Sequence, residues 1–416
     1  MTEASSIARS TASSTAWSAW VDAACDEVAA AGRWRAPRQF DARGHDGLLT
    51  PDPSRADSQP VVSFASNDYL GLATHPAVVA AAHAALDQWG AGSGASRLVT
   101  GSRPVHHELE AALAEWKGTD AAIVFPTGFA ANLSVLSVFA AGGVAVHSDE
   151  LNHASIIDGC RLARADIRIY PHADLEALDA ALGAEASTGR RSIVVSDTVF
   201  SMDGDAVDLE GLAAVAARHG ALLVLDEAHA VLGPDLAGGT GAGGGADVLQ
   251  VGTLSKTLGS LGGFVAGPKR FIDLLVNRAR PYIFTTAPTP ADAAAALAAI
   301  GVVRSTEGDE LRTRLSGLVA RLAGAIGLAD HPSPILPLVI GAEDAAVAAS
   351  SALLQQGLWV PAIRPPTVAP GTSRLRITLS ATHSDQQVDR LVAGLDGVAG
   401  LAGLAADQST GADSAS

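Results

Sequence analysis

The chain has 416 residues, of which 48% are hydrophobic and 17% are charged, and its formal net charge is −16. This length exceeds what one hydrophobic core usually supports, and the apolar content excludes a globally disordered chain. The acidic excess argues against a nucleic-acid or anionic-membrane surface, since both require clustered cations. Two cysteines, Cys25 and Cys160, are too few for a disulfide framework or a Cys-rich zinc site, so we expect no metal and a cytoplasmic location.

The two ends of the chain differ from the middle. Residues 16–31 predict a helix with Trp17, Trp20 and Val21 on one face, and the Pro-, Asp- and Arg-rich stretch 37–60 predicts a connection. Residues 1–60 are therefore expected to form an N-terminal helix and connection, without the apolar run of a signal peptide. The polar tail, 404–416, is expected to be disordered.

No charge occurs from residue 121 to residue 146, a length that could cross a membrane. Pro126, Gly128, Gly142 and Gly143 interrupt this segment. The pattern favours a strand (AAIVF), a turn (PTG), a helix and a second strand (GVAVH), so no membrane span is predicted.

Short apolar runs alternate with Ala-rich helical patterns between residues 61 and 290. The runs include SIVVS at 192–196, ALLVLD at 221–226 and GGFVAG at 262–267. This alternation predicts an α/β fold, with a large domain built on a mostly parallel sheet. After residue 290 the pattern changes, and residues 291–403 predict a smaller C-terminal α+β domain.

The ends of two predicted strands carry candidate catalytic residues. An apolar strand delivers Asp226 to its carboxyl end, where open α/β sheets place their sites, and His229 follows closely. Taken alone, the pair could be a helix-capping acid and a surface histidine. Thr253 and Lys256 follow a second strand, and only three of the 28 Lys and Arg residues are lysines. Because this chain nearly always uses arginine as its surface cation, Lys256 is a candidate catalytic amine.

These residue types suit pyridoxal 5′-phosphate (PLP). That cofactor needs a lysine amine, an acid to keep its pyridine nitrogen protonated, and N–H and hydroxyl donors around its phosphate. Lys256 and Asp226 supply the first two. Thr253 and the turn 127–129, which opens a helix, supply the donors. His153, in a polar loop, is a candidate to stack on the ring.

Seven stretches together resemble the α-oxoamine synthase family of fold-type I PLP-dependent transferases. They are SNDYLGL at 66–72, GSGASRLVTG at 92–101, DELNHASIIDGCRLARA at 149–165, FSMDGD at 200–205, LDEAHA at 225–230, GTLSKTLGSLGG at 252–263 and IRPPTVAPGTSRLRITLSATH at 363–383. They cover most of the chain in the family's order. Family members condense a small amino acid with an acyl thioester, and their sites usually lie at a homodimer interface.

The resemblance implies a role for each matching residue. Lys256 matches the Schiff-base lysine, Asp226 the partner of the pyridine nitrogen and His153 the stacking histidine, and these three are the implied catalytic groups. The other implied contacts are His229 and Ser201 near the ring hydroxyl, Gly128, Phe129 and Thr253 around the phosphate, and Asn67 and Arg376 at the amino-acid carboxylate. Arg374 lies on the same face of the same strand and stays an alternative to Arg376. Ala230 departs from the family's usual glycine.

The segment 363–368 resembles family members of the biotin pathway, which use L-alanine and a pimeloyl thioester. Thr367 matches a substrate-contacting position, and Arg33 resembles an arginine that meets the pimeloyl carboxylate. Two other family types, 2-amino-3-ketobutyrate CoA ligase and serine palmitoyltransferase, remain alternative functions, as does an aminotransferase of the same fold. A non-catalytic binding protein would be expected to lack the lysine or its acid, and both are present.

Overall fold

The computed structural model describes residues 15–51, 57–232, 245–328 and 330–401. The predicted disordered tail, 404–416, lies outside these residues. Contacts divide the chain into an N-terminal unit, residues 1–41 and 48–59, and a main unit, residues 42–47 and 60–416.

The N-terminal unit contains the helix α1 (Ala16–Ala30). Strands β1 (Gln39–Ala42) and β2 (Asp46–Thr50) follow it in the chain, and their residues between 42 and 47 belong to the main unit. The side chain of Thr15 caps α1 by accepting a hydrogen bond from the Ser18 N–H. The predicted helix is confirmed. Its aromatic face is exposed, with Trp17 at 75% and Trp20 at 63%.

The main unit contains the remaining strands and helices. Its strands are β3 (Gln59–Ser63), β4 (Ala121–Phe125), β5 (Ala145–Asp149), β6 (Asp166–Tyr170), β7 (Ser192–Asp197), β8 (Leu222–Asp226), β9 (Val248–Thr253), β10 (Gly263–Gly267), β11 (Ile335–Gly341), β12 (Leu358–Trp359), β13 (Ala362–Ile363) and β14 (Ser373–Thr378). Its helices are α2 (Pro76–Trp89), α3 (Pro104–Lys117), α4 (Gly128–Phe139), α5 (Ala154–Ala163), α6 (Leu175–Ala186), α7 (Leu209–Arg218), α8 (Lys269–Arg278), α9 (Arg280–Ile283), α10 (Pro290–Val303), α11 (Thr306–Ala325), α12 (Glu343–Gln355) and α13 (Asp385–Leu401).

A seven-stranded sheet with the order β4-β10-β9-β8-β7-β5-β6 forms the centre of this unit. Strands β5 to β9 pair in parallel, whereas β10 runs antiparallel to both of its neighbours. The predicted mostly parallel sheet and its apolar strands are confirmed. Because Asp197 and Asp226 occupy paired positions at the ends of β7 and β8, two acids meet at the carboxyl edge of the sheet.

The uncharged segment folds as predicted, into β4, a turn, α4 and β5. Helix α4 packs on α5, and Gly159 permits their close approach, because a Cβ at this position would lie 2.9 Å from Leu136 Cδ1. This contact positions α5, whose N-cap is His153. Among the described residues, no helix has both the length and the apolar character that crossing a membrane requires.

The C-terminal part of the chain has its own three-stranded sheet, with the order β11-β14-β13, and helix α12 packs on it. Helix α10, at the predicted boundary, packs instead on α2 and α3. We propose that the change from the large to the small domain, predicted at residue 290, lies along α10.

A buried ion pair joins the end of α3 to the end of β8. Lys117 Nζ lies 2.7 Å from Glu227 Oε2, and both side chains are at most 4% exposed. The carboxylate and the ammonium compensate each other's desolvation, so removing one partner is costly even where the pair itself adds little. Glu227 directly follows Asp226, so the pair holds the chain next to the site's acid.

We expect Lys117→Met to lower the free energy of unfolding by about 3–5 kcal/mol, because Glu227 loses the cation beside it in the core. Urea unfolding followed by circular dichroism measures this change. Lys269→Met is the matched control, since Lys269 pairs with Asp273 on the surface with 69% of its side chain exposed, and it should change stability by about 0.5 kcal/mol or less. Equal losses in both variants would contradict the role of the buried pair.

Candidate active site

A cavity of about 220 Å³ opens at the carboxyl edge of the large sheet. Its walls come from the ends of β7, β8 and β9 and from the beginnings of α4 and α5. Eight of the residues predicted for the site line it: Gly128, Phe129, His153, Ser201, Asp226, His229, Thr253 and Lys256. The sequence therefore identified residues from five separate segments that fold into one place.

Lys256 lies against His229. Its Nζ is 2.8 Å from His229 Nε2, and His229 Nδ1 is 2.5 Å from the hydroxyl of Tyr69. Burial lowers the pKa of Lys256, and the charge of Arg376 acts in the same direction, against Asp226 and Asp197. Burial, and then the charges of Lys256 and Arg376, hold the pKa of His229 well below its ordinary value. A lysine with a lowered pKa beside a neutral imidazole is a suitable nucleophile and base.

Asp226 ends β8 and is 6% exposed. Its Oδ2 accepts a hydrogen bond of 2.6 Å from Asn132 Nδ2, and its Oδ1 accepts one of 3.0 Å from the Ala228 N–H. Asp197 occupies the neighbouring position on β7. Burial, and then the charge of Asp226, raises the pKa of Asp197 well above its ordinary value. Because a neighbouring negative charge disfavours ionisation, Asp197 keeps its proton more readily than an ordinary carboxyl group does.

The beginning of α4 forms an anion cradle. Thr127 caps the helix by accepting a hydrogen bond of 3.0 Å from the Ala130 N–H, so the N–H groups of Gly128 and Phe129 lie in the first turn at the cavity. Thr253 approaches closely, since a Cβ on Gly128 would lie 3.3 Å from Thr253 Cβ. A Cβ on Gly263 would lie only 2.5 Å from Gly128 Cα, so glycine is required where β10 passes this turn.

His153 caps α5 and lines the cavity. Its backbone N–H donates to Asp197 Oδ2 at 2.9 Å, and its Nδ1 lies 2.7 Å from Ser155 Oγ. The ring meets the Phe129 ring nearly edge-on, with 6.4 Å between centroids. Burial lowers the pKa of His153, and this effect exceeds the opposing one of Asp226. The neutral imidazole is thus available to stack on a planar ligand.

Arg376 is 6% exposed and extends from β14 towards the site. Its Nε donates to the carbonyl oxygen of Ser201 at 2.6 Å, and its Nη2 donates to Asn67 Oδ1 at 3.2 Å. Arg374, two residues earlier, forms an ion pair with Asp203. Arg376 Nη1 donates to Thr378 Oγ1 at 3.0 Å. Among the described residues Arg376 contacts no carboxylate, so its remaining N–H groups are available to an anion.

The other predicted residues lie elsewhere. Thr367 is exposed in the turn after β13, where its N–H donates to the carbonyl oxygen of Arg364, and it does not line the cavity. Arg33 is half-buried in the N-terminal unit. Ala230 has a φ outside the left-handed region, so replacing the family's glycine there causes no backbone strain.

The arrangement fits PLP. A lysine amine with a lowered pKa, a buried carboxylate, a helix beginning beside a threonine hydroxyl and a stackable imidazole surround one cavity. Each feature matches one chemical group of the cofactor: the aldehyde, the pyridine nitrogen, the phosphate and the ring face. The fold and this donor set define a fold-type I PLP-dependent transferase.

Comparisons with known proteins agree with this class of enzyme. The sequence model of the family "Aminotransferase class I and II" matches residues 59–395. The 8-amino-7-oxononanoate synthase of Paraburkholderia xenovorans is 48% identical over 355 residues, which cover 82% of this chain and 89% of that protein. A solved structure of serine palmitoyltransferase with PLP has a TM-score of 0.83 at 30% identity, covering 92% of this chain and 98% of that one. An 8-amino-7-oxononanoate synthase from Francisella tularensis has a TM-score of 0.69 at 25% identity, covering 83% and 98%.

The chain belongs to the aminotransferase class I and II family, and its cofactor is PLP. The resemblance recognised in the sequence is confirmed. Sequence reasoning missed Tyr69, Asn132, Ser155 and Asp197 as parts of the site. Tyr69 and Ser155 lie within stretches that carry the resemblance, whereas Asn132 and Asp197 lie outside them.

We expect Lys256→Ala to lose all covalently attached PLP, because Lys256 has the only amine among the cavity-lining residues that the structure describes. Borohydride reduction followed by peptide mass spectrometry should find PLP on Lys256 in the unmodified protein and on no residue in the variant. Lys269→Ala, at the exposed start of α8, is the control and should keep full labelling. Labelling of Lys117 or Lys269 instead would refute the assignment.

Proposed function

We propose that this enzyme condenses L-alanine with a pimeloyl thioester, of CoA or a carrier protein, and releases the thiol and CO2 to give 8-amino-7-oxononanoate for biotin synthesis. The availability of the Arg376 guanidinium beside Asn67 carries the amino-acid part of this proposal. The name of a relative that is 48% identical over most of the chain supports the choice of the acyl donor.

Arg376 is suited to an α-carboxylate. It is a buried cation without a protein anion in the described chain, whereas Arg374 already has Asp203. A charged ligand would compensate the desolvation that lowers the pKa of Arg376. The hydrogen bonds to Asn67 and to Ser201, which lines the cavity, orient the guanidinium, and a planar fork matches a carboxylate with two parallel bonds.

Each side chain of the site then has its own role in the reaction. PLP, when bound, supplies an electron sink for the pair of electrons left on the amino acid's Cα. Lys256, with its lowered pKa, removes the α-proton as a general base, and His229 holds its amine at 2.8 Å. Asp226 would face the pyridine nitrogen. His153 would stack on the ring and assist the loss of CO2, while Gly128, Phe129 and Thr253 would hold the phosphate.

Contacts with the acyl substrate rest on the sequence resemblance. Arg33 is proposed to meet the distal carboxylate of the pimeloyl group, and Thr367 to contact the substrate. The Arg33 contact would separate this enzyme from one that uses an unsubstituted fatty acyl chain, since a palmitoyl group offers no distal anion.

A homodimer and a cytoplasmic location belong to the same proposal. Leu98, Val99 and Phe284 are 52%, 74% and 68% exposed, and the bridge between Ser96 and Thr286 brings their two segments together. Such an apolar cluster on a water-facing surface supports burial against a second copy. Cys25 and Cys160 are free, which suits a reducing compartment.

Arg376→Lys tests the amino-acid site. The substitution keeps the charge and loses the planar fork, so the KM for alanine should rise roughly tenfold or more while PLP binding is unchanged. Arg374→Lys is the matched control and should leave the KM for alanine within about twofold, since lysine can still pair with Asp203. If the Arg374 variant alone weakened alanine binding, the two arginines would have to exchange roles.

Thiol release tests the reaction itself. Pimeloyl-CoA, acetyl-CoA and palmitoyl-CoA are each supplied with alanine, glycine or serine, and the product is identified by mass spectrometry. We expect alanine with pimeloyl-CoA to exceed every other pair by about tenfold or more, because a site that binds the distal carboxylate loses a charge-assisted bond with the other acyl chains.

Other outcomes would replace the proposal. Preference for glycine with acetyl-CoA would indicate a 2-amino-3-ketobutyrate CoA ligase, and serine with palmitoyl-CoA a serine palmitoyltransferase, the enzyme to which the structure is also similar. Amino-group transfer to an oxo acid, without thiol release, would indicate an aminotransferase.

A further inference from the structure

A chain of hydrogen bonds runs from Asp226 to His153 along the wall of the cavity, which all four of its residues line. Asn132 Nδ2 donates to Asp226 Oδ2 at 2.6 Å and to Ser155 Oγ at 2.9 Å, and Ser155 Oγ lies 2.7 Å from His153 Nδ1. Asn132 is 2% exposed and Ser155 is fully buried. Neither residue belongs to the groups that the proposed function uses.

The direction of each bond in this chain can be deduced. The amide nitrogen of Asn132 must face Asp226, because an amide oxygen 2.6 Å from a carboxylate would be strongly repelled. That nitrogen has two hydrogens, and the second goes to Ser155 Oγ. The Ser155 hydroxyl therefore accepts from Asn132 and keeps its own hydrogen to donate, and His153 Nδ1 lies within its reach.

A second donor reaches the same ring nitrogen. The backbone N–H of Ser155 points at His153 Nδ1 at 3.3 Å, because His153 is the N-cap of α5. Two donors directed at one nitrogen require that nitrogen to be an unprotonated acceptor. In a neutral imidazole the proton then resides on Nε2.

We propose that Asn132 and Ser155 are positioning residues that hold His153 in the tautomer with its proton on Nε2. This inference rests on the proposed function only for its catalytic consequence. His153 Nδ1 is engaged at the start of α5, so Nε2–H is the polar group that the ring offers to the cavity. It can donate a hydrogen bond to an oxygen of the acyl substrate or of the carboxylated product before CO2 leaves.

The backbone around His153 is held equally firmly. Asp197 Oδ2 accepts from the His153 N–H at 2.9 Å, and in return Asn152 Oδ1 accepts from the Asp197 N–H at 2.9 Å. Asn152 Nδ2 also donates to the carbonyl oxygen of Val195 at 2.8 Å. These bonds tie the start of α5 to β7, so the ring cannot turn to exchange its nitrogens without breaking the cap.

Nitrogen-15 magic-angle-spinning NMR of the PLP-loaded enzyme, labelled at histidine, reads the tautomer directly. A His153→Asn variant assigns the two signals of His153 by their loss. We expect a protonated Nε2 and an unprotonated, hydrogen-bonded Nδ1. A proton on Nδ1 in the unmodified enzyme would overturn the proposal, and this readout does not depend on any substrate.

Ser155→Ala should then give a mixture of tautomers and lower kcat on the order of tenfold to a hundredfold, with PLP affinity and the KM for alanine within about twofold. Ser155→Thr restores the hydroxyl and should recover most of kcat. Ser134→Ala is the matched control, because Ser134 is equally buried but donates only to the carbonyl oxygen of Ala130 within α4.

An unchanged NMR spectrum and an unchanged kcat in Ser155→Ala would also overturn the proposal, as would an equal loss in Ser134→Ala. If the unmodified enzyme formed no product from alanine and pimeloyl-CoA, the proposed function would fail. The NMR result would still decide the tautomer of His153.

Discussion

The site depends on the balance of charge around one buried lysine. Burial lowers the pKa of Lys256, and Asp226 and Asp197 oppose this effect. If both acids were ionised, they would hold the proton on the amine. Burial and the charge of Asp226 raise the pKa of Asp197, which weakens the pull of Asp197 on that proton. The neutral His229 can therefore contact the amine at 2.8 Å without adding another cation. Lys256 and Asp226 therefore line one cavity of about 220 Å³.

The topology of the sheet explains why these groups meet. Parallel strands bring their carboxyl ends to one edge, so Asp197, Asp226 and Thr253 become neighbours although 56 residues separate the first from the last. The antiparallel β10 passes the same edge in the opposite direction. Its first residue, Gly263, has no Cβ to displace the helix beginning at Gly128. Strand direction therefore places Asp226 and Thr253 at one edge. The close approach of Gly263 to Gly128 places the helix beginning that forms the anion cradle.

The sequence predicted the site residues whose immediate neighbours in the chain indicate their role. Asp226 follows an apolar strand, and Lys256 is a rare lysine in a hydroxyl-rich turn. The missed residues had no such signal. Asn132 lies in an uncharged helix that looks like ordinary core, and its partners are 23 and 94 residues away. Periodicity could not separate Arg374 from Arg376, because residues two apart in a strand share a face. Only the tertiary contact of Arg374 with Asp203 distinguishes them.

Tyr69 links the amino-acid site to the lysine. Its hydroxyl donates to Asn67 Oδ1 at 3.2 Å and lies 2.5 Å from His229 Nδ1, and burial raises the pKa of Tyr69, so the phenol keeps its proton. When Lys256 is protonated it donates to His229 Nε2, so His229 Nδ1–H donates to Tyr69 and Tyr69 donates to Asn67. Every bond then points from the lysine towards the residue that Arg376 contacts. A neutral Lys256 amine can either donate to His229 Nε2 or accept from it, so the lysine then no longer imposes this direction. One buried phenol therefore connects the base, through three hydrogen bonds, to the residue beside Arg376.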